Sequence, residues 1–313
     1  MTGGEFADAW FLTGPTAGGK TQVGIDLSRA LDAEIISLDS MAVYRDMDIG
    51  TAKPTAAERQ AVTHHLVDIC DPHENFSVAQ YLKHARTAAG QIRSRSRRVL
   101  FVGGTPLYLK ALLRGLFVGP PADWALRKQL AEIAREQGSE ALHRRLTEID
   151  PAAARRLHAN DTRRLMRAIE VYEKTGQPMS ELQKQFEHAR PACELRVFVL
   201  DWPREQLLGR INARVEHMFA TGLVQEVQGL LQSESPLGRT ARQAVGYREV
   251  LEHLGGVRSL EETIELVKLR TRQFAKRQMT WYRSLSECRF VPVSAADSPR
   301  DIAERITNST ATL

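Results

Sequence analysis

Apolar residues in the first hundred positions come in short unbroken runs separated by amphipathic stretches. Ala9-Trp-Phe-Leu-Thr13, Ala33-Glu-Ile-Ile-Ser-Leu-Asp39 and Arg98-Val-Leu-Phe-Val102 are such runs. Their length and continuity predict strands buried on both faces. Downstream of the first run, Val23, Leu27, Ala30 and Leu31 share one helical face. Ser77-x-x-Gln80 has capping-box spacing and opens a helix toward Arg93. Strand and helix in alternation predict a parallel sheet covered by helices.

The pattern changes near Gly119-Pro-Pro-Ala-Asp123. From Trp124 to about Ala189 only helical periodicity is present, with breaks at Gly138, Asp150-Pro151, Asn160-Asp161 and Gly176-Gln-Pro178. Leu195-Arg-Val-Phe-Val-Leu200 is then a strand again. A strand that returns after a helical excursion marks an insertion into the α/β core. The core is therefore expected at 1–120 plus 191–313, and an all-helical domain at 121–190. The C-terminal part reads as helical apart from a turn at Gly255-Gly256 and a short strand at Arg289–Val293.

Between the first strand and its helix lies Gly14-Pro15-Thr16-Ala17-Gly18-Gly19-Lys20-Thr21, which fits the phosphate-binding loop pattern. Free backbone N–H groups and the helix dipole converge there on one point. Lys20 adds a full charge, and the Thr21 hydroxyl can ligate Mg²⁺. The loop predicts binding of a di- or triphosphate, a nucleotide such as ATP included. The fold expected is thus a P-loop NTPase-like parallel sheet flanked by helices, with the helical domain inserted. Ligands of such sheets sit at the carboxyl ends of the strands, which brings Gly14–Thr21, Asp39 and Gly103–Thr105 to one cleft.

Many P-loop NTPases end a neighbouring strand in a carboxylate that helps hold Mg²⁺. Here the third strand ends Val102-Gly-Gly-Thr105, without an acid. Asp39, after the second strand, is the nearest one. It could position Mg²⁺, act as a general base on an acceptor opposite the phosphates, or simply cap the next turn. Its place in the cleft ranks the base first.

At 313 residues the chain can bury a sizeable core and form two domains. No apolar run approaches a membrane span, and the N-terminus lacks a signal-peptide pattern. Cys70, Cys193 and Cys288 lie too far apart for a disulfide framework or zinc spacing, so a reduced, cytoplasmic protein is expected. Nothing marks an obligate interface, and a monomer is the default. His64, His65 and His73 lack an accompanying ligand pattern and read as packing or local hydrogen bonding. The net charge of +5 is unevenly spread. Lys268 to Arg283 carries six basic residues and no acid, and Arg155, Arg156, Arg163, Arg164 and Arg167 cluster in the insertion. One such run is an ordinary solvated helix face, whereas two favour a polyanionic partner such as nucleic acid. In the basic helix, Phe274, Gln278 and Trp281 follow one face, and Trp281 and Tyr282 read as core-facing. From these residues alone, a small-molecule kinase, a non-catalytic RNA-binding module and a group transferase all remain open.

Several strings in order carry a family resemblance. They are Gly14–Thr21, Asp39-Ser40-Met41 with Val43-Tyr44, Asp48-Ile-Gly-Thr-Ala-Lys-Pro54 and Val102-Gly-Gly-Thr105. Arg163–Arg167, Val245-Gly-Tyr-Arg248 and Gln273-x-x-Lys-Arg-Gln-x-Thr-Trp281 follow. Together they resemble the tRNA dimethylallyltransferases, over about residues 10 to 283. The resemblance implies transfer of a dimethylallyl group from its diphosphate to N6 of the adenosine 3′ of a tRNA anticodon, with Mg²⁺ as cofactor. It implies that Asp39 is the base and that Thr105 lies beside the amine. Asp39, Ser40, Met41 and Ala42 with Thr105 would surround the adenosine. Arg214, in preference to Arg210, would reach the diphosphate. Arg127 and Arg163, Arg164, Leu165, Met166 and Arg167 would face the anticodon stem-loop. Arg242, Gln243, Ala244, Val245, Gly246, Tyr247 and Arg248 would contact the tRNA too.

Three positions depart from the family's pattern. Gly18 stands where Ser is usual, Ala42 where Gln is usual, and Arg163 where many relatives have Gln. The first predicts a looser phosphate cradle, and the second puts one polar contact to the base in doubt. The zinc-binding extension of some eukaryotic relatives is absent.

Overall fold

The computed structural model describes residues 5–117, 119–184, 195–233 and 235–309. Six strands form one fully parallel sheet: β1 (Trp10–Thr13), β2 (Ala33–Ser37), β3 (His64–His65), β4 (Arg98–Val102), β5 (Arg196–Asp201) and β6 (Arg289–Pro292). Their order is β3-β2-β4-β1-β5-β6. Every residue of β1 and β2 is buried, as expected of strands covered on both faces. The register places Leu12 opposite Val102 on one side and Phe198 on the other. The loop after β1 therefore opens at the centre of the sheet, between its two flanking halves.

β3 was not legible in the sequence. His64 and His65 make a two-residue edge strand whose hydrogen bonds to β2 are its main support. The helix after the phosphate loop runs Lys20–Leu31 and buries Val23, Ile25, Leu27 and Leu31. Ala30 is exposed, contrary to the expected face, because the buried stripe passes through Ile25 and Ser28 instead.

The described residues divide into two compact units, one within 5–113 with 195–309 and the other within 114–184. The second is helical: Trp124–Gln137, Ser139–Ile149, Pro151–Arg156, Thr162–Thr175 and Met179–Leu182. Its core is Leu130, Leu142, Leu146, Leu165, Ala168 and Ile169. Buried Asp150 joins two of its helices, accepting from Ala153 N at 2.9 Å and from Ser180 N and Oγ at 2.9 and 2.6 Å. The end of the predicted excursion, about Ala189, and Cys193 lie outside the described residues.

In the first unit the 24-residue helix Leu260–Arg283 starts on a capping box at Ser259 and Glu262. It buries Val267, Ala275, Gln278, Met279 and Tyr282. Phe274 lies outside that stripe and is exposed, which separates it from Gln278. Tyr282 is fully buried, and its hydroxyl lies 2.6 Å from that of Thr13 at the end of β1.

Candidate active site

The loops after β1, β2 and β4 meet at one end of the sheet. Gly103 N donates to Leu12 O at 3.1 Å, and Leu38 N donates to Val102 O at 2.8 Å. Thr105 N donates to Leu38 O at 3.1 Å. The approach requires glycine at 103, where a Cβ would lie 2.2 Å from the Leu38 carbonyl oxygen. These contacts bring Gly14–Thr21, Asp39 and Thr105 together.

The phosphate loop turns tightly on Pro15, whose carbonyl accepts from Gly18 N at 3.1 Å and from Lys20 Nζ at 2.7 Å. A Cβ at Gly18 would fall 2.8 Å from that carbonyl, so the missing side chain suits this turn. Ala17 adopts φ 61°, a strained conformation of the kind that concentrates at functional loops. The backbone is tied down from several sides. Arg210 Nε donates to Ala17 O at 2.8 Å and its guanidinium stacks over Trp202, whose Nε1 donates to Gly18 O at 3.0 Å. Gln278 bridges two loops, donating to Gly104 O at 2.6 Å and accepting from Thr16 N at 2.9 Å.

Arg210 thus supports the loop backbone, and Arg214, one turn along, is near enough for its charge to act on Lys20. Burial, together with the nearby Arg214 charge, pushes the Lys20 ammonium down to about 7, while Asp39 opposes the shift. Burial also lowers Arg214, again against Asp39. Two half-buried cations, each within electrostatic reach of the one carboxylate of Asp39, form a site short of negative charge, which a diphosphate would supply.

Asp39 Oδ1 accepts from Met41 N at 2.8 Å and Ala42 N at 3.3 Å. It therefore caps the turn through one oxygen, and none of the described hydrogen bonds uses Oδ2. Thr105 Oγ1 accepts from Ser40 N at 3.0 Å. Ala42 is buried, and its N–H is its contribution to the Asp39 turn. The Thr21 hydroxyl, in the first turn of Lys20–Leu31, is a hard oxygen donor beside this loop and suits a Mg²⁺ shared with phosphate oxygens.

The outer residues divide by burial. Arg163 and Arg164 are exposed, Met166 and Arg167 half-buried, and Leu165 lies in the helical core. Arg127 makes a bidentate pair with Glu170, at 2.8 Å through each nitrogen. Arg167 bonds the same carboxylate and the Pro120 carbonyl. Glu170 has no exposed surface, and these cations with Asp123 N hold its carboxyl below the usual range against the cost of burial. Arg127 and Arg167 are thus part of the unit's framework, which the sequence reading missed. The available signal was a carboxylate between the buried Ile169 and Val171.

Of Arg242–Arg248, only Arg242, Gln243 and Arg248 are exposed; they line a cavity of about 640 Å³ with Leu237 and Arg239. Ala244 and Tyr247 are buried. The Tyr247 hydroxyl donates to Glu226, whose carboxylate also accepts from Asp48, Ile49 and Gly50 N–H groups. His64 makes a local hydrogen bond to Val62 O, whereas His65 bonds Glu34 of the neighbouring strand β2, 31 positions earlier. His73 does have carboxylate neighbours, Asp71 and Glu74, within 4.8 Å. Those are engaged with Arg45, and with Asp71 N and Cys70 Sγ.

A fully parallel sheet flanked by helices, with the glycine-rich loop of Gly14–Thr21 opening at its centre, defines a P-loop-like α/β protein. The family model for IPP transferase matches residues 42–285. A tRNA dimethylallyltransferase of Rhodopirellula baltica is 47% identical, over 98% of this chain and 95% of its own length. Among solved structures, a tRNA isopentenylpyrophosphate transferase from Bacillus halodurans superposes with a TM-score of 0.71 at 37% identity, covering 97% of this chain and 96% of its own. A eukaryotic dimethylallyltransferase acting on tRNA gives 0.76 at 26% identity, covering 97% and 78%. The chain belongs to the IPP transferase family, the tRNA dimethylallyltransferases. Among the described residues no helix is long and apolar enough to cross a membrane.

Proposed function

We propose that the protein transfers a dimethylallyl group from dimethylallyl diphosphate to N6 of the adenosine 3′ of a tRNA anticodon. The observation that carries this reading is that the loops bearing Lys20, Asp39 and Thr105 meet at one end of the sheet, where Arg214 and Asp39 both act on the charge of Lys20. The diphosphate would take its place among the loop N–H groups, Lys20 and Arg214. Its charge grows as the allylic C–O bond breaks, and donors already in position stabilise that charge. Mg²⁺, held by Thr21 and phosphate oxygens, would supply further neutralisation of the leaving group.

The adenine amine is a poor nucleophile because its lone pair is delocalised into the ring. Asp39 Oδ2 accepts one amine hydrogen as N6 bonds to the allylic carbon, and diphosphate departs with the C–O electron pair. Thr105 sits beside the amine as a hydrogen-bond partner. A loop adenosine must leave its stack to enter, at a cost of about a few kcal/mol. Phosphate contacts from the arginine-rich segments offset that cost. A monomer acting in the cytoplasm is consistent with this role.

Diphosphate release tests the reading. It is expected only when dimethylallyl diphosphate and tRNA are both present, and ATP is not expected to replace the allylic substrate. Hydrolysis of ATP, with no diphosphate released from the allylic compound, would favour a kinase instead.

A further inference from the structure

Trp124, the first residue of Trp124–Gln137, is 60% exposed, whereas Trp10 and Trp202 are buried and Trp281 is half-buried. An exposed indole offers a broad apolar ring face and one N–H to a partner. The ring is also held on a rigid frame. Asp123 before it caps the helix through Leu126 N at 3.0 Å and pairs with Lys174 at 2.9 Å. Asp123 N donates to buried Glu170 at 2.7 Å. Arg127, fixed on the same carboxylate, lies 5.3 Å over the indole.

The neighbourhood is cationic. Arg167 shares Glu170 with Arg127, and Arg163 lies one helical turn before Arg167. An exposed aromatic beside guanidinium groups fits an unpaired nucleobase: the ring takes the base face, and exposed Arg163, not the Glu170-bound Arg127 and Arg167, is free to reach the backbone. A paired stem presents phosphates and no free base face. A second copy of this chain, with its own basic surface here, would be repelled.

We propose that Trp124, with Arg127 above one face of its ring, is a stacking platform for an unpaired nucleobase of the bound RNA. The inference rests on the tRNA reading above. Its test compares binding of an unmodified anticodon stem-loop RNA with binding of the same stem closed as a plain duplex. Fluorescence anisotropy is read for the parent protein, Trp124→Ala and Trp124→Phe. Trp124→Ala is expected to weaken stem-loop affinity about tenfold, within the range of base–aromatic stacking. Trp124→Phe should retain most of it, and duplex affinity should not change.

If the parent protein fails to bind the stem-loop, the tRNA reading falls and this inference with it. Should the parent bind and Trp124→Ala bind equally well, the platform alone is wrong. Loss of stem-loop and duplex binding together, with a lower melting temperature, would make the side chain structural and also overturn it. A parent dimer that Trp124→Ala converts to a monomer in light scattering would assign the ring to a second copy, with the same consequence.

Discussion

Asp39→Asn lowers kcat for dimethylallyl transfer by about 10²–10⁴-fold, the usual contribution of a positioned base. Asparagine keeps an oxygen that can accept from the Met41 and Ala42 N–H groups, so the turn survives. What is lost is Oδ2 as an acceptor, replaced by an NH₂ donor facing the amine. The charge change also separates chemistry from damage. Asp39 opposes the lowering of Lys20 and Arg214, and its carboxylate repels an incoming anion. Its removal lowers Lys20 further but also relieves that repulsion, so KM for the diphosphate should change far less than kcat, and tRNA affinity should stay close to that of the parent. Steady-state kinetics with each substrate varied in turn checks this. An equal fall in kcat and in both affinities would mean a collapsed loop.

Lys20→Met carries the second large effect, a fall in transfer of about 10²–10³-fold, comparable to removing one oxyanion donor. It also has a pH signature. Burial and Arg214 place the free lysine at about 7, so it is fully charged only below that pH. A bound diphosphate favours the charged form and raises the value. Anion affinity is therefore greatest below the free value and declines as pH rises through it. The ligand's own deprotonation acts in the opposite sense, and Lys20→Met isolates that part. Calorimetric titration with inorganic diphosphate should show the parent losing affinity, relative to Lys20→Met, from about pH 7 upward. Parallel profiles for the two proteins would remove Lys20 from the diphosphate site.

The parts of this molecule legible in the sequence are those set by local chemistry. The phosphate loop is a contiguous string, and the rule that ligands bind at strand ends brings Asp39 and Thr105 to it. The two-residue strand β3 has no run of its own, because register with β2 creates it. Long-range partners were equally hidden. Gln278 lies more than 250 residues from the Thr16 N–H that it accepts from, and only its place among Ala275, Met279 and Tyr282 hinted at a buried amide. Tyr247 and Leu165 belong to strings that point to RNA, yet both side chains are core. A motif identifies a segment, and burial decides which of its side chains can reach a partner. Arg127 and Arg167 show the same limit, since Glu170 engages both.

The most direct test of the central claim is nucleoside mass spectrometry of unmodified tRNA after incubation with the protein, dimethylallyl diphosphate and Mg²⁺. One dimethylallyl increment is expected on the adenosine 3′ of the anticodon, absent with Asp39→Asn on the same timescale. An unmodified adenosine there, or an increment that Asp39→Asn leaves undiminished, would contradict it.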